Sequence, residues 1–542
     1  MSRARRYWWA VVLVVVVALL APGTARAAGN PVSPYGGLSS SQRASLLAIA
    51  RDTWKFYGAD VDQATSLPMD NITFAGGAAS PTSFGRYTSA ANIGVYLWAV
   101  VAARDLGLVS EPQARARIQA TLTEVSHLKR DNGFLYQWYD TTSGNVLVNP
   151  GQGDCTETTP AFDNCFFISN VDNGWYASGL IVVRQAMPEL RHLVDGLITP
   201  MNFGLFYDNR AETHCNVNPA IAGNQPTGQM FGGYYAGLPP EAGDNWTHYY
   251  HNGALYSDPR ISAYIGMGLH QMPGNVWWRS WRELPPPAPF TDCQSTDPDF
   301  SWQGQWPMAG SWQTYTDPQS RQKFPVWEGH YTYPGSDLTF IPTYAGGMFE
   351  GLMPNEIVPE TSWGTRSFGL ADARTAQVQI KYATQQLHYP VWGMSPSSTP
   401  DDTGGYGGYG VEGLAFPYFG TGADASHPNQ GLSQCHGCAT EDVVTPHASF
   451  LALDVAPQQA FANITALRSR YPGVYGADGF FDAVNPTTGA VGHRDLVLDQ
   501  SMIMAALDNA LRDRALQRDF ARDPVSWAAH TYLSMETMSI TG

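Results

Sequence analysis

The sequence predicts an all-α fold in which helices alternate with long loops rich in aromatic residues and glycine. Apolar residues recur at helical intervals in many segments, as in Ile93, Leu97, Val100 and Val101, which is the spacing of a buried helical face. Several such segments begin with residues that favour helix starts, for example the serines at 39–41. The loops between them are too long to be simple connections, which is typical of functional loops.

The predicted helices follow one another along the chain. The first follows the serine run, the second contains Ile93, and the third begins at Ser110 with Pro112. Further helices are predicted at 172–187, 258–272, 340–352, 366–386, 443–453, 456–470 and 499–519, and long loops at 131–170, 203–257, 273–338 and 390–440. Many amphipathic helices with elaborated loops on one side favour an α/α barrel, with a helical solenoid as the alternative. Because no linker or charge block interrupts the chain, we expect a single domain over residues 28–542.

The composition restricts what the protein can bind. Of 542 residues, 12% are aromatic and only 14% are charged, with a formal net charge of −16. The aromatic content argues against a disordered chain, and the negative charge argues against nucleic acid as a partner. The same charge disfavours polyanionic substrates but not neutral ones. No strong metal motif is present, so we predict no metal and no cofactor, although carboxylate-rich loops could hold calcium.

The first 27 residues have the features of a secretory signal peptide. A basic start with Arg3, Arg5 and Arg6 precedes an apolar run from Trp8 to Leu20, and small residues at 25–27 suit a cleavage site. The apolar run is short for a transmembrane helix. We therefore expect residues 28–542 to be secreted as a monomer without membrane contact; an uncleaved anchor is the alternative.

Six cysteines in an exported chain indicate disulfide bonds. Proximity pairs Cys155 with Cys165 and joins the two cysteines of the C-H-G-C run at 435–438, which leaves Cys215 with Cys293. Other pairings are possible, and the C-H-G-C run could instead be half of a zinc site. Since no second run of this kind occurs, we favour disulfides.

Aspartate recurs beside aromatic residues and glycine in two segments, residues 131–140 (DNGFLYQWYD) and 172–176 (DNGWY). Sugars present apolar faces to flat side chains and hydroxyl groups to Asp, Asn and Gln, so this combination suits a saccharide cleft. The alternative is that Asp-Asn-Gly forms turns and helix caps while the aromatic residues belong to the core. Repetition in several loops favours carbohydrate binding.

An ordered set of motifs resembles the glucoamylase-like family, which includes the β-1,2-glucan hydrolases of glycoside hydrolase family 144 and the C-terminal part of cyclic β-1,2-glucan synthases. The motifs run in family order over roughly residues 40–520. They are N-I-G at 92–94, the block 131–140, V-D-N-G at 171–174, G-M-F-E-G-L-M-P at 347–354, V-W-G-M-S at 391–395, Y-G-V-E-G-L at 409–414, V-T-P-H-A at 444–448, G-F-F-D-A-V-N at 479–485 and L-D-Q-S at 498–501. The resemblance implies an (α/α)6 barrel, an extracellular or periplasmic location and glycoside chemistry without a cofactor.

Glycosidic bond cleavage usually uses two carboxyl groups, one as acid and one as base or nucleophile. Glu350 is the first candidate, because it ends an apolar segment where an acid has little structural purpose. The resemblance agrees, since this position looks like the acidic residue of the G-x-M-F-E motif in the synthase-like members, where it is assigned as the nucleophile. The alternative is a buried acid paired with an arginine.

The second carboxyl group is harder to assign. Synthase-like members carry glutamate just after Trp-Gly-x-Ser, whereas this chain has Pro396, which cannot donate a proton. We expect the role to fall to Asp401, Asp402 or Glu412 in the loop that follows. A solvated turn is the alternative for the two aspartates. Other possible carboxyl groups are Asp172, Glu328 and Asp337.

We expect the sugar to contact carboxylate, amide and aromatic side chains from these loops and motifs. These are Asp131, Trp138, Tyr139, Asp172, Asn173, Trp175, Trp327, Trp392, Tyr406, Tyr409, Asp482 and Asp499. For Asp499, a favourable charge at a helix start is the alternative. The leading interpretation is an exported glycoside hydrolase of a neutral glucan, with β-1,2-glucan as the expected substrate. A same-fold enzyme that hydrolyses or transfers another glycan and a non-catalytic glycan-binding protein are the alternatives.

Overall fold

A computed structural model describes residue 35 and residues 37–156, 165–209, 228–237, 251–280, 282, 308–341, 343–344, 346–411, 415–416 and 443–540. The predicted signal peptide, the candidate Glu412 and four of the six cysteines (215, 293, 435 and 438) lie outside these residues. Cys155 and Cys165 form the predicted disulfide. No helix in the described ranges is long and apolar enough to cross a membrane.

Helices are the most abundant secondary structure of the described chain. They are α1 (Ser40–Asp60), α2 (Ala90–Asp105), α3 (Glu111–His127), α4 (Asn170–Ala186), α5 (Arg191–Ile198), α6 (Arg260–Gly268), α7 (Asn275–Arg279), α8 (Met348–Leu352), α9 (Glu360–Trp363), α10 (Phe368–Lys381), α11 (Pro446–Leu451), α12 (Pro457–Arg470), α13 (Val497–Leu511), α14 (Ala515–Arg522) and α15 (Trp527–Met535).

Each predicted helical segment contains a helix, but two differ in extent. The segment 340–352 begins with strand residues and becomes helical only at Met348. The segment 499–519 contains two helices, α13 and α14. Asp513 and Arg514 between them adopt positive φ angles of 55° and 60°, which end a right-handed helix.

Burial separates the helices into two classes. Helices α2, α4, α6 and α13 are buried on nearly all sides, as the unbroken burial from Ala90 to Ala103 in α2 illustrates. In contrast, α1, α3 and α12 bury one face and leave the other in solvent. A helix that is apolar all round needs neighbours on every side, so the first class forms an inner layer.

The inner helices contact one another in sequence around the molecule. α2 packs against α4 and α13, α4 packs against α6, and α11 packs against α13 and α8. Arg260 of α6 donates to the backbone oxygens of Glu350 and Gly351 in α8, and these hydrogen bonds connect α6 with α8. The outer helices cover this layer: α1 lies on α13, α3 on α2, α5 on α4, α15 on α6, α10 on α8 and α12 on α11.

Two glycines allow α2 and α4 to pack with their backbones in contact. A Cβ atom added at Gly94 would lie 2.3 Å from the backbone oxygen of Trp175. One added at Gly179 would lie 2.4 Å from the backbone oxygen of Gly94. No side chain fits at either distance, so N-I-G at 92–94 is explained by helix packing.

The all-α prediction requires correction, because short strands occur throughout the loops. They are β1 (Asn71–Thr73), β2 (Ser83–Gly85), β3 (Tyr87–Thr88), β4 (Arg130–Asp131), β5 (Phe134–Leu135), β6 (Tyr139–Asp140), β7 (Phe167–Ser169), β8 (Met230–Phe231), β9 (Gly233–Tyr235), β10 (His251–Asn252), β11 (Met308–Thr316), β12 (Lys323–Thr332), β13 (Thr339–Phe340), β14 (Thr343–Tyr344), β15 (Ser397–Ser398), β16 (Tyr406–Gly407), β17 (Ala415–Phe416), β18 (Tyr475–Gly476), β19 (Gly479–Phe480), β20 (Ala483–Val484), β21 (Val491–Gly492) and β22 (Arg494–Leu496).

Most of these strands form antiparallel pairs or three-stranded sheets, including β2-β1-β22 and β11-β12-β13. Antiparallel β11 and β12 form the longest hairpin, in a region predicted to be a loop, with Trp312 opposite Trp327. Phe324 and Val326 are buried while Lys323 and Pro325 are exposed, so this strand has the alternation of a half-buried sheet. The short strands shape the loops that precede the inner helices, as β7 does before α4 and β22 before α13.

Candidate active site

Polar side chains occupy equivalent positions at the N-termini of four inner helices. Asn92, Asp172, Glu350 and Asp499 are each the third residue of their helix, in α2, α4, α8 and α13. A helix N-terminus carries partial positive charge and stabilises a nearby carboxylate. Asp70, which accepts a hydrogen bond from the Asn92 amide at 2.9 Å, adds a fifth polar group at this end.

Glu350 and Asp258 form a buried carboxyl pair. Their side chains are hydrogen-bonded, so the pair holds a shared proton between two acids. Ser257 Oγ donates to Glu350 Oε2 at 2.8 Å, and Trp175 Nε1 donates to Asp258 Oδ2 at 3.0 Å. Glu350 is 7% exposed. Burial, followed by the neighbouring Asp258 charge, raises the pKa of Glu350 well above its ordinary value. Burial also raises the pKa of Asp258.

The arginine beside this pair neutralises a different acid. Arg260 donates to both carboxylate oxygens of Glu360 at 2.8 Å, and Tyr264 donates to the same carboxylate at 2.6 Å. Arg260 reaches Glu350 only through its backbone oxygen. Among the described residues no arginine pairs with the Glu350 carboxyl, so the alternative of a structural Arg–Glu pair is not supported.

Asp172 lies near Asp258 and is partly accessible. Hydrogen bonds from Ser169, Ser89 and Gln137 favour its ionised form. Burial nevertheless raises its pKa above the ordinary value. The negative charge of Asp172 in turn contributes to the raised pKa of Asp258. The site therefore combines a buried pair of acids with raised pKa values and a third carboxyl group whose hydrogen bonds oppose the effect of burial.

A second carboxyl cluster contains Asp482, Asp499 and His447. One ligand atom from each residue lies within 4.8 Å of the other two, and His447 Nδ1 is 3.2 Å from Asp499 Oδ2. All three side chains are buried. Burial, and then the Asp499 charge, raises the pKa of Asp482 well above its ordinary value, while burial raises that of Asp499 to about 7. Burial lowers the pKa of His447 to about 4, so its imidazole is neutral at pH 7.

Tyr406 lies on β16, where it pairs with Ser398 of β15. Its side chain is 53% exposed. Desolvation by the neighbouring protein raises the pKa of Tyr406 well above its ordinary value. The charges of four carboxyl groups add to this effect, in the order Asp499, Asp482, Glu350 and Asp70. The Tyr406 ring is therefore both accessible and close enough to these carboxyl groups to feel their charges. Tyr406 is therefore well placed as a sugar platform.

The segment 394–398 connects the two clusters and contains Pro396. Met348 N donates to the Met394 oxygen at 2.9 Å, and Phe349 N donates to Ser395 Oγ at 3.0 Å, which fixes the start of α8. Ser398 N donates to Asp482 Oδ2 at 2.5 Å. Pro396 packs against Gly347, where an added Cβ would lie 2.6 Å from its Cδ. Pro396 therefore has a packing role beside Glu350.

The proposed acids Asp401 and Asp402 are corrected by the structure, which places both in an exposed turn. Asp401 accepts hydrogen bonds from Thr399 and Thr403, and these bonds lower its pKa. Asp402 accepts from the backbone N–H groups of Gly76 and His493, and its pKa is lowered although partial burial opposes the change. Carboxyl groups with lowered pKa values are ionised at pH 7 and cannot donate a proton.

Glu328 and Asp337, the two other candidate carboxyl groups, lie at the hairpin of β11 and β12. Glu328 is buried on β12, where Tyr315 donates to it at 2.8 Å, and Asp337 is exposed after the same strand. Burial, and then the charge of Glu536, raises the pKa of Glu328 to about 8. This environment belongs to the hairpin and to helix α15, whose C-terminus precedes Glu536.

Several predicted sugar contacts instead support the fold, which corrects those assignments. Asn173 is buried and bonds both backbone groups of Leu135, and Tyr139 donates to the Lys129 oxygen. Trp175 and Trp392 are buried, the first against Trp98. Asp482 and Asp499 are also buried and expose almost no surface to a substrate. The partly accessible members of the predicted set are Asp131, Trp138, Asp172, Trp327 and Tyr409.

Two central residues were missing from the sequence-based candidates. Asp258 lies two residues before α6, and a carboxylate near a helix start beside an aromatic loop was the available signal. His447 follows Pro446 at the start of α11 within the V-T-P-H-A motif. Its acidic neighbours are 35 and 52 positions further along the chain, so local spacing gave no sign of the cluster.

Comparison with known protein families confirms the resemblance to the glucoamylase-like family. Residues 314–524 match the family model described as "Putative glucoamylase". Residues 48–210 match a second model, described as "Protein of unknown function (DUF3131)". The two matches include the helices that carry Asp172, Glu350, His447 and Asp499.

Individual relatives show the same family resemblance. The cyclic β-(1,2)-glucan synthase NdvB of Rhizobium meliloti (strain 1021) is 29% identical over 142 residues, which are 26% of this chain and 4% of that protein. The endo-β-1,2-glucanase of Chitinophaga pinensis, solved with sophorotriose and glucose, has a TM-score of 0.59 at 14% identity, covering 91% of this chain and 98% of that one. The endo-β-1,2-glucanase of Talaromyces funiculosus with sophorose has a TM-score of 0.56 at 10% identity, covering 92% of each chain. At these identities the two structures establish a shared fold.

Proposed function

We propose that this protein is a glycoside hydrolase that cleaves a neutral glucan, with β-1,2-glucan as its substrate. The observation that carries the proposal is the buried Glu350–Asp258 pair in a cleft beside an exposed tyrosine. An acid that has no basic partner and a strongly raised pKa is the form that glycoside cleavage requires of its proton donor. The substrate rests on relatives, two of which are endo-β-1,2-glucanases crystallised with β-1,2-linked oligosaccharides or glucose.

In the proposed reaction Glu350 is the general acid. Its proton passes to the glycosidic oxygen as the bond to the leaving sugar breaks, and Asp258 and Ser257 hold the carboxyl group in place. Asp172 is the second carboxylate, because it is partly accessible and its three hydrogen-bond donors favour the charged form. It takes the proton of the attacking water or attacks the sugar carbon itself. Tyr406 supports the sugar ring.

The same proposal includes an (α/α)6 barrel and export. Six inner helices (α2, α4, α6, α8, α11 and α13) alternate along the chain with outer helices, and their pairwise contacts support a closed double ring. The end of this ring at which the inner helices begin holds the carboxyl groups. The basic, apolar and small residues of the first 27 positions support secretion of residues 28–542.

The direct test is Glu350→Gln, assayed for reducing ends released from linear β-1,2-glucan. We expect kcat to fall by about 10²–10⁴-fold, the range for loss of a general acid, while glucan binding measured by calorimetry persists. Glu356→Gln is the matched control, because Glu356 is also buried but bonds to Asn509. The control should retain turnover. Turnover by Glu350→Gln at the wild-type rate would exclude Glu350 as the acid, and a wild-type protein that binds glucan without cleaving it would be a binding protein.

A further inference from the structure

Three buried side chains from separate motifs converge at one point. His447 is in the first turn of α11, Asp482 lies between β19 and β20, and Asp499 is in the first turn of α13. One ligand atom from each lies within 4.8 Å of the others. Their exposed fractions are only 1%, 2% and 1%.

Apart from the contact between the two carboxyl groups, most polar atoms of this cluster have no hydrogen-bond partner among the described residues. These atoms are His447 Nδ1, Asp482 Oδ1 and both carboxylate oxygens of Asp499. His447 Nδ1 lies 3.2 Å from Asp499 Oδ2 without forming a hydrogen bond. Orphaned polar atoms at this depth are costly and call for an explanation, such as an ion.

A shared proton does not account for the whole arrangement. One proton between Asp482 and Asp499 would satisfy one oxygen of each carboxyl group. It would leave the second Asp499 oxygen and the imidazole nitrogen unpaired in a buried site. A cation would accept electron pairs from all three residues at once and balance the two carboxylate charges.

We propose that His447, Asp482 and Asp499 bind a first-row divalent metal ion such as Zn²⁺ or Mn²⁺. One imidazole and two carboxylates suit these ions, whereas Ca²⁺ prefers oxygen ligands alone. Ligand atoms of a tetrahedral zinc site with bonds near 2.0 Å are about 3.3 Å apart, close to the observed nitrogen–oxygen distance. The other ring nitrogen, Nε2, faces Thr445 Oγ1 at 3.5 Å, the type of outer contact that orients a histidine ligand.

The ion would join three elements at the base of the cleft. It would connect α11, the segment before β20 and α13, and the Ser398 N–H that binds Asp482 continues the connection to the segment beside Glu350. The role is structural, since the ligands are almost inaccessible. The inference rests on the cluster alone and does not depend on the proposed hydrolase activity.

The test uses the purified full-length protein with Zn²⁺ and Mn²⁺ as separate probes. After incubation and dialysis, elemental analysis should find about one metal ion per chain. Addition of either ion to chelator-treated protein should raise Tm, with a shift that grows with free ion concentration as linkage requires. His447→Ala and Asp499→Asn should abolish both effects. His493→Ala is the matched control, because His493 pairs with Asp402 at 3.0 Å near the surface, and should retain them.

Either of two results would overturn the proposal. One is wild-type protein that holds no metal and shows no change in Tm with either ion. The other is binding that persists in His447→Ala but disappears in His493→Ala. The wild-type measurements decide the question even if a ligand variant fails to fold. Glucan hydrolysis is scored separately, so loss of the hydrolase proposal would leave the metal result standing.

Discussion

Asp258→Asn is the most informative change at the candidate active site. The substitution keeps the shape of the side chain but removes the negative charge that raises the pKa of Glu350. It also replaces the shared proton with an amide that can donate to the Glu350 carboxylate. Both effects stabilise ionised Glu350, so its pKa must fall.

The size of the change follows from electrostatics. Two unit charges about 4 Å apart interact by about 4 kcal/mol at an effective dielectric constant of 20, which corresponds to about three pKa units. Solvent relaxation reduces this value, so we expect a fall of about one to three units. Since a general acid must be protonated to act, the alkaline limb of the kcat profile should move to lower pH by the same amount.

The assay is kcat against pH with linear β-1,2-glucan, for wild type and two variants. Ser257→Ala is the opposing control, because its hydroxyl donates to Glu350 Oε2 and lowers the Glu350 pKa. Its loss should move the alkaline limb upward by about one unit, the equivalent of one hydrogen bond to a charged group. Shifts in the same direction for both variants, or none for Asp258→Asn, would refute the pairing of Asp258 with Glu350.

Three further predictions concern stability. Burial raises the pKa of Glu328 in the folded protein to about 8, against an ordinary value of 4.5. Because the folded state therefore holds a proton that the unfolded state loses, wild type should lose up to about 1.4 kcal/mol of stability per pH unit as pH rises from 4.5 to 8. Glu328→Gln should lack this slope when stability is measured by urea titration. Cys155→Ser opens a disulfide that spans 10 positions and should cost about 3 kcal/mol of stability in the same assay, and reduced wild type should match the variant. Gly94→Ala should cost about 1–3 kcal/mol of stability, because α2 and α4 must separate to make room for the added methyl group. Gly58→Ala should be neutral or stabilising, because a Cβ added there meets nothing within 4 Å. Equal effects of the two substitutions would refute the close packing of α2 and α4 as the reason for Gly94.

The sequence predicts the helical layer well because its signal is local. The stripe through Ile93, the serine before α1 and the Ser110 start of α3 all correspond to observed helices. The hairpin of β11 and β12 was missed although Phe324 and Val326 alternate with exposed residues. That period-two signal is short and lies in a region rich in Gly, Pro and aromatic residues, which favoured a loop assignment.

The candidate site was predictable only in part, because its chemistry depends on distant neighbours. Glu350 was found from an acid in an apolar segment, but its partner Asp258 is 92 positions away in the sequence. Asp401 and Asp402 were chosen for proximity to Pro396, yet Asp401 bonds within its own turn and Asp402 bonds to the backbone of Gly76 and His493. Motif order located the helices of the site, whereas side-chain direction required the fold.

Product analysis tests the proposed substrate and the role of Glu350 in one experiment. Wild-type protein, Glu350→Gln and Glu356→Gln are incubated in parallel with linear β-1,2-glucan, β-1,3-glucan and starch, and the products are separated by size. We expect oligosaccharides from β-1,2-glucan alone, released by wild type and Glu356→Gln but not by Glu350→Gln. Products from a different glucan would contradict the substrate, and equal products from all three proteins would contradict the role of Glu350.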